Sequence, residues 1–402
     1  MMNPRSFMAL AIAAGAIFAL SLGIRAAHPL FISAINSSSG IGYATISLAF
    51  GVQQLMWGLS QPVAGAMADR WGARPVMIGG ALLLAAGTML IPLVQTPWAL
   101  TLVLGVVFAA GAGAVGGPAQ LASAVSRWIP EAKRSMANGI IGAGGSFGQF
   151  ILIPFAQLCI GLAGWQPALV ILGAAGLLAV PLVLYITAGG PPVAAAHAQA
   201  GTLRHAVRDA MRDPSYLLLT AGFFTCGFHI AFIATHLPGF VAFCQLPATV
   251  SAWSLSIIGL FNILGSLWVG RHIQTRRMKL ALAGVYFARA VAILIFFFSP
   301  KVPVVFFVFA AVIGFTYLST VPPTIGLVAK LHGPRYLATL FGLVMLSHQV
   351  GGFLGAYLGG KAFEATGSYD WMWWADIALC LFAAAVHLPI RETRPQFAPA
   401  AA

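Results

Sequence analysis

Long apolar runs alternate with short polar or basic connections along the whole chain. A helix needs about 20 mostly apolar residues to cross the hydrocarbon core of a bilayer. Twelve runs of that kind remain when the sequence is divided at its charges, prolines and polar clusters. They fall near residues 6–34, 41–66, 76–94, 98–122, 136–162, 166–187, 215–243, 250–270, 279–298, 303–328, 336–362 and 371–389. The strands of a membrane β-barrel would alternate in polarity and would be about half as long. The pattern therefore predicts an all-α membrane protein with twelve transmembrane helices.

The composition excludes a soluble enzyme. Of the 402 residues, 60% are hydrophobic and only 7% are charged, whereas soluble domains carry about 25% charged residues. The sequence contains no phosphate-binding loop, nucleophile elbow, HExxH pair or cluster of carboxylates. Its four cysteines stand singly, without the spacing of a disulfide framework or a zinc site. We therefore expect no enzymatic activity, no ATP-driven step, no metal ion and no cofactor.

The net charge of +13 is interpreted as a topology signal. If the N-terminus is cytoplasmic, 17 of the 21 Lys and Arg residues lie on the cytoplasmic side, including Arg5 in one tail and Arg394 in the other. This excess satisfies the positive-inside rule, so both termini are predicted to be cytoplasmic. The charge also suits anionic lipid headgroups, and nucleic acid is not an expected partner. The first run is too long for the core of a signal peptide and is read as a retained helix.

A polar connection divides the twelve spans into six and six. Residues 1–187 form a predicted N-terminal bundle, residues 188–214 a cytoplasmic linker, and residues 215–402 a C-terminal bundle. The linker begins GGPPVAAAHAQAG. It continues with basic residues at every fourth position beside apolar ones, namely Arg204, Arg208 and Arg212 with Leu203, Val207 and Met211. This pattern predicts a short amphipathic helix on the inner leaflet.

The two halves repeat each other at a constant offset. When the sequence is shifted by 201 residues, basic, histidine and serine positions of one half coincide with those of the other. The coincident pairs include Arg70 with Arg271, Arg134 with Arg335, His28 with His229, and Ser146 with Ser347. Such a match at separated helices predicts parallel repeats related by an axis along the membrane normal.

The segment GAMADRWGAR at residues 65–74, with the repeat and the basic central loop, resembles the major facilitator superfamily. Ala73 and Arg74 fill the last two places of the family signature G-x-x-x-D-R-x-G-R-[RK], and the segment departs from it only at Ala73. The runs QQLMWGLSQPVAGAMADRWGAR (53–74) and GGSFGQFILIP (144–154), with an arginine in the first helix, resemble bacterial monocarboxylate porters and oxalate/formate antiporters. The resemblance implies a bacterial inner-membrane location and alternating access. It also implies a cavity lined mainly by helices 1, 4, 7 and 10, and partly by 2, 5, 8 and 11.

The loop after the second span offers a gate. Asp69, Arg70 and Arg74 lie at helix ends, where they can pair with neighbouring helix termini in one state and release them in the other. The alternative is positive-inside charge at a tight turn formed by Gly72, with Pro75 opening the next helix. The resemblance favours the gate.

Two arginines lie inside predicted spans, where an ionisable group costs roughly 2.5–3.5 kcal/mol unless it faces a cavity or a partner. Arg25 in the first span has no acidic residue in its own helix or in the seventh, so a substrate carboxylate is its expected partner. The alternative is that Arg25 extends to the membrane surface. Arg289 in the ninth span is expected to form a structural ion pair with Asp376 in the twelfth; a substrate contact is the second reading.

Histidine and glutamine side chains are the remaining candidates for substrate binding and proton transfer. Only histidine has an ordinary pKa suited to proton exchange near neutrality. The repeat places His28 and His229 at equivalent depths, so they are expected to face each other across the pathway, unless they are packing residues. His348 and Gln349 in the eleventh span and Gln149 in the fifth are expected to orient an anion. His28, His229 and His348 are the candidate proton carriers. Gln53, Gln54 and Tyr317 are weaker candidates, and Trp57 is one of the aromatic residues that would shape a cavity.

These residues predict a secondary transporter of small organic anions, either monocarboxylates or short dicarboxylates, that works as a monomer. Proton symport and anion exchange both remain open. The alternative is a proton-driven exporter of lipophilic drugs, which would be expected to carry an acidic residue within the first six spans; none occurs there. A sensor or scaffold built on a transporter fold, and a channel, are further rivals.

Overall fold

The computed structural model describes residues 6–126, 128–188, 203–333 and 336–392. The regular structure of this part of the chain is all helical, without a β-strand. Its α-helices are, in chain order, α1 Phe7–Ala27, α2 Ile32–Ser39, α3 Tyr43–Trp71, α4 Ala73–Met89, α5 Pro97–Leu100, α6 Ala109–Gly116, α7 Pro118–Ser126, α8 Glu131–Ala163, α9 Trp165–Gly176, α10 Ala179–Thr187, α11 Leu203–Ala210, α12 Pro214–Phe243, α13 Ala248–His272, α14 Met278–Phe298, α15 Pro303–Thr316, α16 Val321–His332, α17 Leu337–Thr366 and α18 Asp370–His387.

Within the described residues, ten helical segments are long and apolar enough to cross a membrane. The expected second and twelfth spans, α3 and α18, are also helical but more polar. Glutamines at 53, 54 and 61 lower the apolar character of α3, and aspartates at 370 and 376 lower that of α18. The count of twelve spans and the cytoplasmic position of both termini stay predictions.

Several expected spans are interrupted, which the hydrophobic pattern did not predict. The first changes to a 3₁₀ turn at His28–Phe31, which contains Pro29. The fourth contains a wider π-helical stretch at Thr101–Phe108. The sixth divides into α9 and α10 at residues 177 and 178, and the tenth divides into α15 and α16 at residues 317–320. Because proline lacks an amide donor, Pro322 and Pro323 explain why the tenth span does not continue as one regular helix.

Part of the predicted linker lies outside the described residues, namely 189–202, as do Arg5, Arg127, Arg335 and Arg394. The expected amphipathic segment is helical at Leu203–Ala210. Ala210 is buried and Val207 packs on a buried cluster, whereas Met211 lies beyond the helix and is exposed. The apolar face is therefore shorter than predicted, and its placement on the inner leaflet stays a prediction.

Equivalent helices pack alike in the two halves, with α1 against α8 and α12 against α17. The halves meet along two seams, α3 against α17 and α8 against α13. We call the end at which Arg70, Arg271 and Lys330 lie the basic end, and the other the opposite end. At the opposite end and at mid-depth the seams are tight: a Cβ on Gly360 would collide with Ser47, one on Gly51 would touch Phe353, and one on Gly259 would touch Gln149.

Toward the basic end the same seams separate. Seven residues are close to two helical turns, so positions seven apart share a helix face. Gly58 of α3 packs against Gln349 of α17. Gly65 lies seven residues after Gly58, and Gly342 lies seven residues before Gln349, so both share these faces. A Cβ at Gly65 or Gly342 would meet nothing within 4 Å. The same holds for the basic-end glycines of the second seam, Gly139, Gly142 and Gly270. The space between the halves is therefore open at the basic end and closed at the opposite end.

Candidate functional site

Arg25 lies in the last turn of α1 and turns toward α3. Its guanidinium donates a hydrogen bond to Oε1 of Gln54 and lies over the ring of Trp57, 4.5 Å from the ring centroid. Both partners occupy the middle of the 29-residue helix α3, so the guanidinium is held at mid-depth and does not extend to a membrane surface. Its Nε atom has no hydrogen-bond partner. Within the described residues no carboxylate forms an ion pair with Arg25.

Two side chains from the second half approach the same turn of α3. Gln349 of α17 is buried and packs over Gly58, where a Cβ would lie 2.8 Å from its Nε2 atom. That Nε2 atom has no partner. Tyr317, which follows α15, is buried and lies near Arg25. Arg25, Gln349 and Tyr317 thus bring α1, α17 and the tenth span together between the halves.

The six residues predicted to bind substrate share one property, a buried polar atom without a hydrogen-bond partner. These atoms are Nε of Arg25, Nε2 of His28, Oε1 of Gln149, Nε2 of His229, Nδ1 of His348 and Nε2 of Gln349. An unsatisfied buried polar group costs about 1–3 kcal/mol, and it is explained by a bound water or ion, by strain or by a functional role. The six do not form a single cluster.

The two repeat-related histidines are bonded within their own halves, so the expectation that they face each other across the pathway is wrong. His28 is buried, accepts a hydrogen bond at Nδ1 from Nε2 of Gln53 (3.4 Å) and packs edge-on against Phe108 (4.4 Å between centroids). His229 is buried and donates from Nδ1 to Oδ2 of Asp376 (2.8 Å). The first and seventh helices turn these rings toward neighbours in their own bundles.

Gln149 and His348 lie on α8 and α17, which are two of the four helices that form the seams. Gln149 packs against Gly259 of α13 at the seam between the halves. The ring of His348 packs against Phe223 of α12, 5.0 Å between centroids, and faces the second half. Of the two, Gln149 has the position expected of a residue between the halves.

Arg289 does not pair with Asp376, so the predicted structural ion pair is wrong. Arg289 is completely buried and its Nη2 donates to the carbonyl oxygens of Thr316 and Tyr317 (2.6 Å). Its Nη1 contacts Sγ of Cys226 at 3.5 Å. These carbonyls lie where α15 ends, and interruption of a helix leaves its last carbonyls without amide donors. The guanidinium supplies those donors and leaves Asp376 to His229.

The break at residues 317–320 is a candidate functional feature that the sequence did not lead us to expect. Oδ1 of Asn262 accepts the amide of Leu318 at 3.0 Å, while Nδ2 of Asn262 donates to Ser146 of the other half at 2.8 Å. Interrupted helices within a membrane are tolerated where they line a cavity and are typical of transporter binding sites. The signal was present in the sequence as TYLST followed by VPP.

His229, Asp376 and Cys380 form a buried triad in the second half. Their ligand atoms lie within 4.8 Å of one another, and Sγ of Cys380 contacts Oδ1 of Asp376 at 3.8 Å. His229 and Asp376 are already hydrogen-bonded to each other. The arrangement therefore suits a shared proton better than separate ligands around a metal ion.

The predicted gating loop is exposed at the basic end. Helix α3 ends at Trp71, and Gly72 adopts φ +87°, a conformation that favours glycine. Among the described residues no ion pair involves Asp69, Arg70 or Arg74. The absence of ion pairs in this part of the structure is what a gate would show after its end has opened and its partners have separated. The gating role itself stays a prediction.

Comparisons with known proteins agree with this architecture. The model of the Major Facilitator Superfamily matches residues 13–356 and 276–401. The uncharacterized MFS-type transporter YcxA of Bacillus subtilis is 25% identical over 81% of this chain and 80% of its own. The oxalate:formate antiporter of Oxalobacter formigenes is 27% identical over 60% of this chain and 57% of its own. Monocarboxylate transporter 13 of Rattus norvegicus is 25% identical over 84% and 77%.

A solved structure shares the fold. A mutant of the nucleoside transporter NupG superposes with a TM-score of 0.78, at 16% sequence identity, over 96% of this chain and 99% of its own. Since the family model covers most of the chain, the protein belongs to the Major Facilitator Superfamily and is a transporter.

Proposed function

We propose that this transporter carries a small organic anion, a monocarboxylate or a short dicarboxylate, by alternating access. The mid-depth position of Arg25 carries the proposal. Its positive charge lies between the halves, has no acidic partner among the described residues and retains a free Nε atom. A guanidinium of this kind recognises a carboxylate through two parallel hydrogen bonds. Gln349 and Tyr317 would orient the rest of the anion.

Two relatives support the substrate class. The names of the oxalate:formate antiporter and of monocarboxylate transporter 13 refer to small carboxylates. The charge distribution of the chain agrees with them. The first six spans contain no Asp or Glu, and Asp376 in the second half is occupied by His229, so a cationic substrate has no free carboxylate to bind there.

Alternating access is supported by the seams between the halves. Their tight packing at the opposite end and their separation at the basic end are the geometry of one access state. The bundles of residues 1–187 and 215–402 would rock about the seams, with the Asp69–Arg74 loop gating the basic end. The proposal includes twelve spans, cytoplasmic termini, a bacterial inner membrane and a monomeric protein surrounded by lipid.

Proton coupling is proposed at His229 and Asp376, with His28 and His348 as the other candidates. A carboxylate and an imidazole 2.8 Å apart can hold one additional proton between them. In symport an anion and a proton enter together, so no net charge is added at mid-membrane. In exchange the anion alone neutralises Arg25.

The experiment is thermal unfolding of the detergent-purified protein with mono- and dicarboxylates and lipophilic cations at two pH values. A ligand that binds the folded state raises Tm by mass action. We expect stabilisation by a carboxylate that is lost in Arg25→Gln and kept in Arg208→Gln, a matched variant at an exposed arginine on α11. Stabilisation by lipophilic cations alone would favour the drug exporter.

A further inference from the structure

A cavity of about 550 Å³ opens on the outer surface of the second half, between α13, α14 and α15. Its walls are apolar and aromatic, formed by Trp268, Leu280, Val285, Ala288, Val312 and Phe315. A volume of this size lies within the range of about 300–1,000 Å³ that is usual for ligand sites. Because the wall helices are expected to span the membrane, the apolar content suits a hydrocarbon chain.

One end of the groove is basic. His272 lines it and stacks on Trp268, with 4.8 Å between the ring centroids. Arg271 lies in the last turn of α13, and Arg276 and Arg277 lie in the connection from α13 to α14. All three are exposed, and within the described residues none of them forms an ion pair. Three exposed arginines without an ion pair thus lie within five residues of His272, which lines the groove.

The other polar contacts of the groove lie on its inner wall. Thr316, the last residue of α15, and Ser319, within the break between α15 and α16, line the groove. Arg289 of α14 donates a hydrogen bond to the carbonyl of the same Thr316. An occupant of the groove would therefore pack against the interrupted helix that lies beside the central site.

We propose that this groove binds one anionic phospholipid. An acyl chain lies against Trp268 and Phe315, and the phosphate lies among Arg271, Arg276 and Arg277. Charge complementarity selects this occupant, because basic groups beside a membrane helix attract anionic headgroups by about 1 kcal/mol each. A zwitterionic lipid offers the same chain without the net charge. The proposal is independent of the substrate and of Arg25.

Gly284 provides a direct test, because it lies in the groove wall and a Cβ there would meet nothing within 4 Å. Gly284→Leu should fill the groove without a clash. Gly79→Leu is the matched control, because Gly79 in α4 also has open space around its Cβ. Arg276→Gln combined with Arg277→Gln removes charge from a surface connection and leaves the helices unchanged.

The measurement is native mass spectrometry of the full-length protein titrated with phosphatidylglycerol or phosphatidylcholine. We expect phosphatidylglycerol to bind at least tenfold more tightly than phosphatidylcholine. Gly284→Leu and the double arginine variant should each weaken phosphatidylglycerol binding about tenfold, and Gly79→Leu should bind it as the unmodified protein does. Equal binding of the two lipids, or unchanged binding in Gly284→Leu, would overturn the proposal, as would an equal loss in Gly79→Leu.

Discussion

The carboxylate of Glu364 accepts a hydrogen bond from the backbone amide of Ala44 at 2.7 Å. This bond joins the last turns of α17 in one half to the first turn of α3 in the other. A carboxylate at a helix N-terminus also interacts favourably with the helix dipole. Beside it, the ring of Tyr43 packs against Phe363 with 5.5 Å between centroids. The contact is therefore a latch on the closed, opposite end.

Removal of this latch should favour opening of the opposite end. Glu364→Ala loses a capping interaction of about 1 kcal/mol, which corresponds to about a fivefold change in the equilibrium. Electron paramagnetic resonance between spin labels at Ser38 and Thr366, in a Cys244→Ser background, should show a larger long-distance population. Glu364→Gln keeps an acceptor oxygen and should show a smaller change. Identical distance distributions with Glu364, Glu364→Ala and Glu364→Gln would show that Glu364 does not hold this end closed.

A disulfide across the open end should stop transport. Gly65 of α3 and Gly342 of α17 lie on the two sides of the seam that these helices form. A Cβ added at either glycine would meet nothing within 4 Å. Gly65→Cys with Gly342→Cys should cross-link under oxidation only when the basic end closes, and should trap that state. We expect at least tenfold slower uptake, restored by a reducing agent. Each single variant is the control, and full uptake by the cross-linked protein would contradict rocking about these seams.

Ten of the predicted spans and the uncompensated charge of Arg25 were accessible from the sequence, because hydrophobic length and the lack of a nearby acidic residue are local properties. The neighbours of Arg25 were only partly accessible. Gln54 and Tyr317 ranked as weaker candidates, yet Gln54 accepts a hydrogen bond from Arg25 and Tyr317 lies near it. The depth of a residue in the membrane follows from its position along a helix. The direction of its side chain depends on how the helix is rotated about its axis, and the sequence does not specify that rotation.

The unrecognised break in the tenth span explains the wrong ion pair. Arg289 and Asp376 have compatible depths, but the break after α15 exposes carbonyl groups that bind Arg289, and His229 reaches Asp376. A regular tenth helix would have left no such carbonyls. The error therefore came from reading residues 303–328 as one uninterrupted helix.

A double-mutant cycle should report the corrected pairing. His229→Gln and Asp376→Asn should be non-additive in the free energy of unfolding, with a coupling energy of about 1–3 kcal/mol, because the two side chains are in contact. Arg289→Met and Asp376→Asn should be additive within about 0.5 kcal/mol. Chemical unfolding monitored by tryptophan fluorescence gives these values. A large coupling between Arg289 and Asp376 would restore the ion pair first expected.

Substitution in the buried triad should separate transport from the proton gradient. If His229 and Asp376 share the coupled proton, Asp376→Asn removes its acceptor. Uptake driven by a pH gradient should then fall at least tenfold, while exchange at equal pH on both sides is retained. His348→Gln serves as the comparison, because it removes another candidate carrier. Unchanged gradient-driven uptake in Asp376→Asn, with loss in His348→Gln, would transfer the role to His348.

The most direct test of the central claim is counterflow of a radiolabelled carboxylate, chosen by the thermal screen, in proteoliposomes containing the unmodified protein or Arg25→Gln. If Arg25 binds the anion, the unmodified protein should exchange it, whereas the variant should retain its fold and Tm but exchange at least a hundredfold more slowly. Exchange at the normal rate by Arg25→Gln would contradict the anion site.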